Sequence, residues 1–161
     1  EAYKVFKQTM TADDILSGKK FPGRKIVIIG GGSVGCETAD YLAPLINDLF
    51  STNRDITLIE MTNGLMTGES GATKSLLTRR MMEKGVKIEL NSKITYVDET
   101  TIKYEKNNQE YVLNDVDTLV FAVGYQPISS PIENAHLIGD CQKVGTLKDA
   151  ITQAYQITKE I

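Results

Sequence analysis

"KIVIIGGGSVGCETADYL", Lys25 to Leu42, decides how this chain is read. "KIVII" is an apolar run of the kind that forms a parallel strand covered on both faces. Beyond the glycines, Gly35, Ala39, Leu42, Ile46 and Leu49 recur at helical spacing, and "DITLIE", Asp55 to Glu60, reads as a second strand. The three together make a βαβ unit. Pro44 falls inside the helical pattern, where it removes a backbone hydrogen bond, so a kinked axis or a second helix is expected there. "APLINDLFSTNR" around it resembles an insertion.

Between strand and helix the glycines fit Gly30-x-Gly32-x-x-Gly35. The first permits the tight turn, the second lets a pyrophosphate approach the backbone, and the third lets helix and strand pack closely. The peptide groups of Gly31, Ser33 and Val34 complete the loop, and the unpaired N–H groups at the helix start face the phosphates. Glu60 ends the second strand, 25 positions beyond Gly35. A carboxylate there accepts hydrogen bonds from the adenosine ribose hydroxyls and repels a 2'-phosphate, by ~4 kcal/mol for two unit charges 4 Å apart before solvent screening. No Arg lies between Glu60 and Gly71 to offset that repulsion, so NADH is expected in preference to NADPH. Glu37 has two readings: a contact to the nicotinamide ribose or a partner domain, or a first-turn acid at a helix N-terminus.

Further along, a Gly- and Thr-rich loop (62–71) precedes a helix from about Ala72 to Lys84, with Leu76, Leu77 and Met81 as its apolar face and Gly85 ending it. "VKIEL" reads as a third strand. "KITYVD", "TIKYE" and "EYVLN" then alternate like a three-stranded antiparallel meander, with turns at Glu99-Thr100 and Asn107-Asn108. "DTLVFAVG" is again a buried-type strand, "AHLIGD" a short strand, and a last helix runs from about Leu147 to Ile161. Residues 1–24 read as a lead-in with a short helix at Ala12–Leu16 capped by Thr11. The expected fold is α/β: a Rossmann-like three-layer domain with a parallel sheet and an antiparallel meander.

The 161 residues, with 41% hydrophobic, 24% charged and no Trp, suit one globular domain. A formal net charge of -3, with Lys and Arg scattered, offers no field for nucleic acid. No apolar run approaches the ~18 residues that span a bilayer, which makes the cytoplasm the expected location. Cys36 and Cys141 lack a CxxC spacing and read as small buried residues, so neither a dithiol nor a metal site is expected. His136 reads as a core histidine. The chain begins at Glu1 without an initiator Met, as a piece of a longer protein would.

"GGGSVGCETADYL", "TLVFAVGYQP" and "HLIGDCQKVGTLKDAITQAY", in this order, resemble the C-terminal region of the NADH:flavin oxidoreductase / 2,4-dienoyl-CoA reductase / 2-enoate reductase family, from about Lys25 to the end. That family carries an FMN-binding barrel, a 4Fe-4S cluster, and an FAD domain interrupted by one for NAD(P)H. The resemblance implies that Gly30, Gly32 and Gly35 hold the NADH pyrophosphate and Glu60 its ribose. It also implies that Ala122-x-Gly124-x-x-Pro127 leads out of the NADH domain. Gly139-Asp140 matches the motif whose aspartate binds the FAD ribitol, with the helix start at Thr146-Leu147 pointing at flavin or pyrophosphate; an ordinary helix cap is the other reading of Asp140.

The implied domains are a lead-in (1–24), an NADH-binding Rossmann domain (25–127) and a remnant of the FAD domain (128–161). The implied chemistry passes hydride from nicotinamide to flavin and electrons through the cluster to FMN, which reduces an activated double bond. The 24 residues before Lys25 are too few for an FAD-binding βαβ unit, and the FMN barrel and cluster cysteines are absent. The chain is therefore expected to bind NADH without catalysing, with the missing FMN barrel and FAD half as partners. Residues 135–161 are expected to fold back, pair with a second copy, or fray. An NAD(H)-sensing or scaffolding subunit, or the NADH half of a disulfide-reductase-type enzyme, are the alternatives.

Overall fold

Five parallel strands form the sheet that carries the glycine loop, in the order β1 (Thr9–Thr11), β8 (Thr118–Phe121), β2 (Lys25–Ile29), β3 (Asp55–Ile59), β4 (Lys87–Glu89). The structure, a computed structural model, describes residues 5–44, 53–128 and 132–159. It divides into two compact units, 1–123 and 124–161.

In the first unit, alternate residues of the central strands face opposite layers. Ile26, Ile28, Ile56, Leu58 and Val120 pack with Cys36, Ala39, Leu42, Leu77 and Met81 of α2 (Ser33–Leu42) and α3 (Gly71–Glu83), and with Ile15 of α1 (Ala12–Leu16). Val27, Ile59 and Leu119 pack instead with Val97, Ile102 and Tyr104. Those residues belong to an antiparallel sheet of β5 (Ser92–Val97), β6 (Ile102–Lys106) and β7 (Gln109–Leu113). Burial on both faces is why "KIVII" is apolar throughout, and each such aliphatic side chain contributes about 1.5–3 kcal/mol. The three-layer α/β fold and the meander are as the sequence predicts. Asn107 and Asn108 both have positive φ, 54° and 61°, as a two-residue hairpin turn between twisted strands requires.

Local chemistry sets the ends of the helices. Thr11 and Asp14 form a reciprocal capping box on α1, each side chain bonding the other's backbone N–H at 3.1 Å. α3 ends in a Schellman arrangement: Val86 N–H donates to Met81 O, Gly85 N–H donates to Met82 O, and Gly85 takes φ +82°. Between helices, Asp40 accepts two hydrogen bonds from the Arg80 guanidinium, at 2.7 and 2.6 Å, and lies 3.0 Å from the Lys84 ammonium. Burial pushes the Asp40 carboxyl up, but these cations outweigh it and hold it below the usual carboxylate range.

Several expectations are corrected. α2 stops at Leu42, before Pro44, because Ala43 takes the extended backbone (ψ 141°) that a residue preceding proline favours. Ile46 and Leu49, and with them the second helix expected after Pro44, lie outside the described residues. Leu76 is exposed at 55%, leaving Leu77 and Met81 as the buried face of α3. The lead-in contributes β1, which pairs in parallel with β8 at the sheet edge.

In the second unit, residues 135–138 form no strand and run into a 3-10 turn at Gly139–Cys141. His136 and Cys141 are exposed, not core. α4 (Leu147–Ile157) buries none of its residues, and Leu147, Ile151 and Tyr155 are exposed along it.

Candidate dinucleotide site

The glycine loop is built at the C-terminal end of β2, where the chain turns directly into α2. Gly30 has φ +106°, and a Cβ there would stand 2.4 Å from the Ala122 carbonyl oxygen. At Gly35 a Cβ would stand 1.9 Å from the Gly30 carbonyl oxygen. Both positions need glycine for the protein's own packing, and Ala122, beyond β8, is one of the walls. Gly32 differs. Its φ is -68°, it is exposed, and an added Cβ would meet nothing within 4 Å. Neither strain nor crowding within the protein asks for glycine there. It is also the N-cap of α2 and provides no side-chain cap hydrogen bond. The N–H groups of Ser33, Val34 and Gly35 therefore start the helix without a capping side chain.

Glu60 faces this loop from the end of β3. Its Oε2 accepts from Gly31 N–H at 2.7 Å and its Oε1 from Thr62 N–H at 2.7 Å. Burial pushes the Glu60 carboxyl up, and the backbone N–H donors, Gly31 first, outweigh it and hold it below the usual carboxylate range. The group is thus a fixed, ionised acceptor with one hydrogen bond on each oxygen and further lone pairs to spare. Gly31 is closed in behind it, since a Cβ there would stand 2.6 Å from Leu65 Cδ2 and 2.9 Å from Glu60 Cβ. Cys36 lies beneath the loop. Burial first, then the charges of Glu60 and Glu37, raise its thiol to about 12, which removes it as a nucleophile.

Gly30, Gly31, Gly32, Ser33, Val34, Gly35, Glu60 and Ala122 thus come together in the first unit. Glu37 is exposed on α2. Gly124 (φ +91°) opens the second unit, where Gly139, Asp140, Thr146 and Leu147 lie. There Asp140 Oδ1 accepts from Gly145 N–H at 3.1 Å, and Gly139 N–H donates to Gln153 Oε1 at 2.6 Å. The cap of α4 is Thr146, in a capping box with Asp149, so Asp140 is not that cap. Among the described residues no group of three or more His, Cys, Asp or Glu could hold a metal ion. No helix among them is long and apolar enough to cross a membrane.

The sequence places a loop between β3 and α3 but not its approach to the glycine loop. Leu65 and Met66 are buried, Met66 takes φ 47°, and its N–H donates to the Gly31 carbonyl at 2.7 Å. Glu69 Oε1 accepts from Ser33 Oγ at 2.7 Å. Lys74 also reaches back from α3, its Nζ 3.5 Å from where a Cβ on Gly64 would be. The available signal was the apolar pair Leu65-Met66 within an otherwise polar loop.

Residues 1–154 match the model of the pyridine nucleotide-disulphide oxidoreductases. The chain belongs to that family. It carries the family's NAD(P)-binding domain. Cinnamate reductase of Clostridium sporogenes is 30% identical across 94% of this family member and 23% of its own length. Bilirubin reductase of Mediterraneibacter gnavus is 24% identical, across 88% and 22% respectively. In fold, the chain superposes on the structure of a 2-naphthoyl-CoA reductase complex with a TM-score of 0.74, at 22% identity, over 95% of this chain and 23% of that one. The chain therefore spans about a quarter of the length of these relatives.

Proposed function

We propose that the chain is the NADH-binding module of a multidomain NADH-dependent flavin oxidoreductase that reduces an activated double bond elsewhere in the protein. One observation carries the dinucleotide reading: Gly32, where no described residue requires glycine, stands at the uncapped start of α2. A pyrophosphate approaching the Gly32–Gly35 amides would use that space, and Glu60 would take the adenosine ribose hydroxyls. The 2-enoate reductase resemblance and the short coverage of the relatives support the larger assembly.

When bound, NADH supplies hydride from its nicotinamide C4; the residues described here would bind and orient it and are not themselves acid, base or nucleophile. Glu37 is assigned to the nicotinamide side of the site or to the contact with a partner domain. Gly139, Asp140, Thr146 and Leu147 would contribute to an FAD site completed by a further domain. FMN and a 4Fe-4S cluster would belong to domains outside this chain, which alone would bind and not turn over.

Calorimetric titration with NADH and NADPH tests this. NADH should bind saturably and at least about tenfold more tightly than NADPH, because Glu60 opposes a 2'-phosphate. Equal or inverted affinities would contradict the assignment to NADH. Tight flavin retention with steady NADH turnover by the isolated chain would contradict the binding-only role.

A further inference from the structure

Glu69 lies on the loop between β3 and α3, nine residues beyond Glu60, and its carboxylate meets the glycine loop at Ser33. Its Oε1 accepts a 2.7 Å hydrogen bond from Ser33 Oγ, and Ser33 is the first residue of α2. The loop that presents it is fixed at both ends. Met66 is buried and bonded to Gly31, Glu69 N–H donates to the Met66 carbonyl at 3.1 Å, and the next residue, Ser70, caps α3. The Glu69 side chain itself is exposed.

A carboxylate at a helix N-terminus is locally favourable, since it lies against unpaired N–H groups and the positive end of the dipole. The same place is where those groups would meet a phosphate. A diphosphate arriving there would face a like charge already seated, and would compete with it for the Ser33 hydroxyl.

We propose that Glu69 sets the affinity of the glycine loop for diphosphates, its carboxylate acting as an internal anion on Ser33 that the pyrophosphate of a dinucleotide has to displace. This rests on the dinucleotide reading of the loop. Once Glu69 turns outward, the Ser33 hydroxyl is released to donate to a phosphate oxygen. Ligands that carry phosphate are weakened by the displacement, and ligands without it are not.

The test compares the wild-type chain with Glu69→Gln, titrated with NADH and, by NMR, with adenosine, at low and high salt. Gln keeps the length of the side chain and an acceptor for Ser33 but removes the charge. The variant should bind NADH about five- to tenfold more tightly at low salt, with the gain shrinking as salt screens the repulsion. Adenosine, which has no phosphate, should bind both proteins alike. Unchanged or weaker NADH binding by the variant overturns the proposal, as does an equal gain for adenosine. If wild type and variant both fail to bind NADH, the dinucleotide reading itself falls and takes this proposal with it.

Discussion

Gly35→Ala should destabilise the fold by about 3 kcal/mol or more, whereas Gly32→Ala should change stability by less than about 1 kcal/mol and weaken NADH binding about tenfold or more. The two glycines are three residues apart in one motif but answer to different neighbours. At Gly35 the new Cβ would stand 1.9 Å from the Gly30 carbonyl oxygen and 3.2 Å from Ala122 Cβ, and a backbone atom has no rotamer with which to move aside. Strand β2 and helix α2 must separate, which disturbs the layer where Cys36 and Ala39 are buried. At Gly32 the Cβ would meet none of the described residues within 4 Å. It would meet the ligand, holding a phosphate off the amides and costing at least one charge-assisted hydrogen bond. Thermal unfolding and NADH titration of both variants check this. A Gly32→Ala chain that binds NADH as the wild type does would mean that the open space at this residue serves no ligand.

Replacing Glu60 should alter which cofactor is preferred. Glu60→Ala removes both the ribose acceptor and the charge, so NADH affinity should fall about tenfold to a hundredfold and the preference for NADH over NADPH should disappear. Glu60→Arg should invert it, by attracting a 2'-phosphate. Because backbone N–H groups hold the Glu60 carboxyl below its ordinary range, it stays ionised as pH falls from neutral. NADH affinity should therefore be insensitive to Glu60 until the pH drops below the usual carboxylate values, and decline as the group then protonates. Calorimetry of both variants with both cofactors, and of the wild type across pH, reads these outcomes. A ratio unmoved by Glu60→Arg would show that the acid does not face the ribose.

How much of this was legible in sequence depends on how local the determining physics is. β2, the glycine loop, α2 and β3 repeat patterns that a short window contains: an apolar run, a turn that needs glycine, a helical period. The Thr11 cap and the Asn107-Asn108 turn are likewise decided within a few residues. β1 was not legible, because three residues with only Met10 buried carry no period, and they become a strand only by pairing with β8. Residues 135–140 failed in the other direction. Leu137 and Ile138 have the composition of a strand, but a strand needs a pairing edge, and the second unit contains no described strand to supply one.

Within the candidate site, the glycines and Glu60 were legible because their roles follow from position relative to one strand. Glu69, Leu65 and Met66 were not. Their approach to Ser33 and Gly31 depends on how a loop folds back across more than thirty residues of chain, which no spacing encodes.

The most direct test of the central claim is an NADH titration followed by the amide resonances of the isotope-labelled chain. The account predicts saturable shifts concentrated in Gly30 to Gly35 and in Glu60 to Thr62, with the amides of α3 and the meander nearly still. No saturable shifts, or shifts centred away from the glycine loop, would contradict it.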